Sequence, residues 1–208
     1  MTPPPRPMPH RAAARRGTVV SSGPHRLRVI GGRHRGRPIP VPDVPGLRPT
    51  PDRVRETLFN WLGQDLTGAS TLDLYAGTGA LSLEAQSRGA ASSVAVDCNP
   101  ALIRVLKATA GALDLPGIET HVDDALRYLA RERRLFDVVF LDPPFADDPW
   151  ERLLAALPAR LAPGARIYAE AARELRAPAG FERLRHGRAG NVHYHLLALD
   201  GSVSVAPR

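Results

Sequence analysis

Between residues 71 and 170 the chain alternates between short strand-like runs and longer stretches of helical periodicity, and this alternation restricts the possible folds more than any other feature. Runs at 71 to 75, 93 to 97, 118 to 122, 136 to 141 and 165 to 170 carry the β-branched and apolar residues of strands. Helical stretches at 79 to 88, 100 to 113, 124 to 131 and 149 to 160 separate them. Local signals agree: Asn99-Pro100 is a cap followed by a first-turn proline, and Gly89 closes the helix before it. Regular β-α-β alternation predicts an α/β fold, a parallel sheet covered on both faces by helices. Residues 181 to 199 break the rule, reading as two strands joined by a turn at Gly187 to Gly190, hence an antiparallel pair at one sheet edge. Before the alternation, Thr50, Pro51 and Asp52 form a helix start, and Val54, Leu58, Trp61 and Leu62 share one face of that helix.

The charge is unevenly placed. Residues 1 to 42 hold nine Arg and no acid, whereas the other 166 residues hold 18 Arg, one Lys and 21 acids. Concentrated guanidinium groups suit a polyanion, but a solvated Arg-rich tail has the same composition, so this feature alone leaves both open. Residues 1 to 25 lack a hydrophobic period and are expected to be a disordered basic tail. Residues 26 to 48 are expected to form a small basic β-hairpin, with Gly31-Gly32 and Gly36 where the chain turns back and Arg28, Arg33, Arg35 and Arg37 on display. Residues 49 to 201 then form the main domain and 202 to 208 a tail. A single cysteine, Cys98, excludes an internal disulfide and fits a reducing compartment. No run reaches 18 apolar residues and no apolar signal core follows the N-terminus, so a soluble cytoplasmic protein is expected; a monomer is expected separately. His193 and His195 are expected at the surface of an edge strand, with no metal site.

In an open α/β sheet the ligand lies outside the carboxyl ends of the strands. Four acids fall there. LDLYAGTGA joins the first strand to a helix through Gly77 and Gly79, and Asp73 sits just upstream. A dinucleotide site wants a third glycine where this chain has Ser82, and a carboxylate beside the turn suits a cation better than a pyrophosphate. Asp97 ends the second strand, placed to accept two ribose hydroxyls, and Asp124 follows the third, either accepting from an adenine amine or capping the next helix. S-adenosylmethionine combines a cationic amino acid end, a ribose and an adenine. Asp142 ends the fourth strand in the run VVFLDPPF. An aromatic exocyclic amine is a poor nucleophile; Asp142 and the carbonyl of Pro143 can each accept one of its hydrogens. Pro144 stiffens the loop, and Phe145 offers a face for an extruded base, a contact worth about 1 to 3 kcal/mol.

These residues resemble the class I S-adenosylmethionine-dependent methyltransferases that carry Asp/Asn-Pro-Pro-Phe/Tyr. RVIGGRHRGRPIPVP, GLRPTPDRVRETLFNWL, LDLYAGTGALSLEAQSRGA and FLDPPF, in this order, further resemble the RsmD family of bacterial 16S rRNA guanine-N2 methyltransferases over about residues 26 to 199. That resemblance implies a Rossmann-like seven-stranded, mostly parallel sheet in order 3-2-1-4-5-7-6. It implies a guanine of 16S rRNA in partly assembled 30S subunits as substrate, with ribosomal proteins of the subunit head nearby. Asp73, Gly77, Gly79, Asp97 and Asp124 become cofactor residues and Asp142, Pro143, Pro144 and Phe145 the catalytic loop, while Thr50, Arg53 and Glu56 lie on the family's helix over the cofactor. A DNA amino-methyltransferase shares the Pro-Pro loop, although the sequence after Pro144 has no long insert to read DNA. A non-catalytic ribosome-assembly module is the other alternative.

Overall fold

The computed structural model describes residues 27–45, 47 and 49–201; the expected tails at 1 to 25 and 202 to 208 lie outside the described residues. Strands β1 (Ser70–Asp73), β2 (Ser92–Asp97), β3 (Ile118–Val122), β4 (Phe136–Leu141), β5 (Leu161–Ala171), β6 (Phe181–Ala189) and β7 (Val192–Leu199) form one sheet in the order β3-β2-β1-β4-β5-β7-β6. The first five run parallel, and β7 is antiparallel to both β5 and β6. Gly190, at φ 59, opens the two-residue connection between β6 and β7 that makes the antiparallel pair possible.

The unbroken apolar run of β4 follows from burial on both faces. Val138 and Phe140 pack beneath α1 (Asp52–Leu62) and α2 (Ala80–Ser87) with Val54, Leu58, Phe59 and Leu81. Val139 and Leu141 face the other way, toward Tyr128 and Leu129 of α4 (Ala125–Arg131) and Leu153 and Leu154 of α5 (Trp150–Ala156). Each fully buried leucine here stabilises the fold by roughly 1.5 to 3 kcal/mol. The fifth helix, α3 (Pro100–Ala112), lays Leu106 against Ala95 of β2. Asn99 caps it, its side chain accepting from the Ala101 amide at 2.9 Å. Helix α5 ends at Ala156, short of the expected 160, because Pro158 has no amide hydrogen to donate and starts a 3₁₀ turn instead. Thr50 does not cap α1 either: Pro51 occupies the cap position, with no side-chain bond.

The N-terminal segment departs from a regular hairpin. The Val29 amide donates to the Arg37 carbonyl and the Ile39 amide to the Leu27 carbonyl, yet only one bridge forms, Arg28 to Pro38. Pro38 and Pro40 cannot donate to a ladder, and a 3₁₀ turn at Gly32–His34 closes the fold-back. Its apolar residues Leu27, Val29 and Ile39 are buried with Leu83, Leu106 and Ala110, so the segment is part of the α2–α3 core.

A buried acid fastens this segment. Glu84 of α2 accepts from the Ile30 and Gly31 amides, both at 2.7 Å, and from the Arg88 Nε at 2.8 Å. Arg55 of α1 reaches Glu84 at 3.4 Å while donating to the Arg28 carbonyl and to Asp52. Gly32, at φ 71, lies so close to Ser87 that a Cβ there would stand 1.9 Å from its carbonyl oxygen. The basic turn therefore sits on the carboxyl end of α2, and Gly77 and Gly79 sit at the other end.

Candidate active site

Asp73 ends β1 fully buried and accepts from the Ser82 hydroxyl at 2.9 Å. Burial pushes its carboxyl up to about 7, and nearby Asp97 adds to the rise against the opposing Ser82 hydrogen bond. Asp97, at the end of β2, accepts from the Gly77 amide at 2.9 Å and the Asn99 amide at 2.8 Å. These bonds tie the glycine turn to the neighbouring strand. Gly77 (φ 53) and Gly79 (φ 77) both require left-handed backbone, and a Cβ on Gly79 would meet the Leu106 side chain at 2.1 Å.

Asp124 caps α4, accepting from the Arg127 amide at 3.0 Å. It also lies near the site's mouth. Burial, then Asp124 and Asp147, push the Tyr75 phenol up to about 12, so strands β1 and β3 bring these groups together. Cys98 has its thiol pushed up, first by burial and then by Asp97. A raised thiol carries less of the reactive thiolate at neutral pH.

Beyond β4, Asp142 is half-buried, Pro143 is buried, and Pro144 and Phe145 are exposed. Phe145 is 43% exposed, and it is the one aromatic among the exposed large apolar side chains described.

Two further residues complete the site: Glu170, which sequence reasoning missed, and Thr50, which it placed on the helix over the cofactor without a role in the chemistry. Leu141 pairs in register with Ala169, so one step on Asp142 stands beside Glu170 across two adjacent parallel strands. Glu170 is buried and accepts from the Tyr168 hydroxyl at 2.7 Å. The Thr50 hydroxyl, which makes no capping bond, lies beside both acids and opposes the rise of each carboxyl. Burial first, then Glu170 and Asp73, raise the Asp142 carboxyl well above the ordinary carboxylate range. Glu170 was detectable by the rule that found the other acids, since it too lies at the carboxyl end of a strand.

His195 corrects a further expectation. The edge strand is β6, so β7 is interior and His195 is fully buried, its Nε2 accepting from the Leu175 amide at 3.1 Å. His186 stacks on it, with ring centroids 4.7 Å apart.

The carboxyl edge thus gathers Asp73, Asp97, Asp124, Asp142 and Glu170 around a glycine turn, and among the described residues no Arg, Lys or His forms an ion pair with Asp73, Asp97, Asp142 or Glu170. The chain is similar to known proteins. A family model described as Conserved hypothetical protein 95 matches residues 27–198. The protein of Escherichia coli (strain K12) named Ribosomal RNA small subunit methyltransferase D is 41% identical over 180 residues, 84% of this chain and 91% of its own. The chain belongs to the RsmD family. The Haemophilus influenzae relative of the same name is 36% identical, over 82% of this chain and 92% of its own. The solved structure described as Putative methyltransferase yhhF from Escherichia coli superposes with a TM-score of 0.75 at 40% identity, covering 83% of this chain and 97% of that one. The RsmD-family assignment accords with the sheet order, which is that of a Rossmann-like class I methyltransferase. No helix among the described residues is long and apolar enough to cross a membrane.

Proposed function

We propose that the protein transfers a methyl group from S-adenosylmethionine to the exocyclic N2 of a guanine in 16S rRNA, acting as a monomer on partly assembled 30S subunits. The observation that carries this reading is the Asp142-Pro143-Pro144-Phe145 loop beside Asp73 and Asp97 on one sheet edge, in a chain whose relatives are named for small-subunit rRNA methylation. A buried carboxylate without a cation, such as Asp73, fits the cofactor's cationic amino acid end. Asp97 faces the ribose, its two bonded amides leaving further lone pairs on its carboxylate. Asp124 serves the adenine amine while its other lone pairs cap α4.

When bound, the cofactor supplies the methyl group, its carbon–sulfur bond breaking with the electron pair left on sulfur as the amine lone pair forms the new bond. The chain's own part is orientation. Asp142 and the Pro143 carbonyl each accept one amine hydrogen, fixing the direction of the lone pair, and Phe145 stacks on the base. Asp142 then takes the proton that the methylated nitrogen sheds. Arg28, Arg33, Arg35 and Arg37 hold phosphates away from the reacting base, making residues 26 to 48 the RNA-gripping part of the chain.

Incubating the purified protein with labelled S-adenosylmethionine and under-methylated 30S particles, then mapping the label by mass, tests the reading. Label on a guanine N2 of 16S rRNA is expected, with Asp142→Ala lowering the rate by about 10² to 10⁴. Unlabelled particles would overturn it. Transfer to duplex DNA in their place would point to the DNA enzyme.

A further inference from the structure

Asp142 and Glu170 form a close pair of carboxyl groups at the ends of neighbouring strands, on the sheet face covered by α1. Two such groups in a partly closed site do not both carry charge readily, so the protonation of one is set by the other. Hydrogen bonds decide which member keeps the charge. Burial raises the Glu170 carboxyl, but the Tyr168 hydroxyl donates to it at 2.7 Å and, with Thr50 beside it, opposes that rise. Donors that converge on Glu170 favour its ionised form. Among the described residues only Thr50 opposes the rise of the Asp142 carboxyl, and the partial exposure of Asp142 gives a proton a route to water.

We propose that Glu170 is a positioning residue for the methylation: anchored by Tyr168 and Thr50, it secures Asp142 as the group that receives the proton shed by the target amine. This rests on the function proposed above. In the step concerned, the nitrogen–hydrogen bond of the methylated amine breaks with its electron pair kept by nitrogen, and an oxygen–hydrogen bond forms on Asp142. An ordinary aspartate is a weak base for this purpose, and a neighbouring negative charge strengthens it. As the amine's positive charge disappears, so does the negative charge on Asp142, leaving Glu170 as the pair's single carboxylate. Asp142 later returns the proton to solvent.

The groups that face Glu170 and Asp142 support this division. Asp73 from β1 adds negative charge near Asp142, Tyr168 lies on Glu170's own strand, and Tyr194 pairs in register with Glu170 from β7. Thr50 approaches from the lead-in to α1. Among the described residues, no Arg, Lys or His ion-pairs with either acid to offset the repulsion.

The test is Glu170→Gln, which keeps an acceptor for Tyr168 and a donor for Thr50 and removes the charge. Carboxyl carbons of the ligand-free protein are titrated by NMR, and single-turnover methylation is followed against pH. Asp142 is expected to titrate about one pH unit or more lower in the variant, with the acid limb of the rate profile moving the same way. The plateau rate should fall, while the melting temperature and cofactor affinity at neutral pH stay near those of the parent. Tyr168→Phe should shift Asp142 in the same direction by less. An unmoved Asp142 titration, or a lower rate with an unmoved pH limb, would overturn the inference and leave Glu170 a packing residue. The two readings fail separately, because the carboxyl titration needs no methyl transfer; an inactive parent would count against the proposed function even if the two acids proved coupled.

Discussion

Replacing Glu84 by Gln should damage the protein far more than one hydrogen bond would suggest. The carboxylate is fully buried and serves four donors at once: the Ile30 and Gly31 amides, the Arg88 Nε and Arg55. Glutamine has nearly the same shape, but an NH2 group that can only donate replaces one carboxylate oxygen and faces donors. Arg88 then loses its counter-charge, since its other bond is to the Gln64 carbonyl, whereas Arg55 retains Asp52. Breaking a buried ion pair by removing one partner costs about 3 to 5 kcal/mol. For a chain of this size each kcal/mol moves the melting temperature by roughly 2 to 4 °C, so a drop of about 6 to 20 °C is expected. Urea unfolding of parent and variant measures the loss, and amide exchange at Ile30 and Gly31, assigned by NMR, shows where it falls. Those two amides should exchange much faster in the variant even under conditions where both proteins are fully folded. A loss below about 1 kcal/mol, or unchanged exchange at both amides, would refute the view that Glu84 fastens the N-terminal segment.

Three other outcomes follow from the same structure. Arg33, Arg35 and Arg37 changed together to Ala should lower the slope of log affinity for RNA against log salt by about 2 to 3, leaving cofactor affinity intact, as measured by filter binding across a salt series. Burial holds the His195 imidazole down at about 4, against 6.5 when unfolded, so the unfolded chain binds the proton first on acidification. Its contribution is complete above pH 6.5 and is lost as the pH falls toward 4, by up to about 3 kcal/mol, so His195→Gln should flatten the decline in urea midpoint over that window. With the Asp73 carboxyl at about 7, calorimetry should show affinity for S-adenosylmethionine rising between pH 6 and 8, and Asp73→Asn should weaken binding and remove most of that rise.

Much of the fold was legible because a parallel sheet writes its period plainly. Residues 136 to 141 were expected as a strand and β4 is Phe136–Leu141; the helix expected at 100 to 113 is Pro100–Ala112. The antiparallel pair was visible from the missing helix, and the order implied by the resemblance put its second strand inside, yet the local alternation of 192 to 199 read as an edge strand, so His195 was placed at the surface. Burial of an imidazole depends on its neighbours across β5 and on the Leu175 amide, none of them close in sequence. Thr50 shows the same limit from the other side. Its local signal was that of a helix cap, and a tertiary pair of acids outbid that role. Glu170 went unnoticed for want of a glycine turn or a Pro-Pro motif to draw attention, although its place at a strand's end matches that of Asp73, Asp97 and Asp142.

The position of the basic turn has a consequence for what the protein can tell apart. It rests on the far end of α2 from the glycine turn, and a helix of eight residues spans about 12 Å. A partner gripped at the turn and offering a base at Asp142 must hold the two points at a fixed separation. A floppy single strand meets that demand only at an entropic cost, whereas RNA already shaped within a particle meets it in advance. On the proposed function, the helix would act as a caliper, favouring a guanine whose surroundings have been built to the right width over the many guanines of loose RNA.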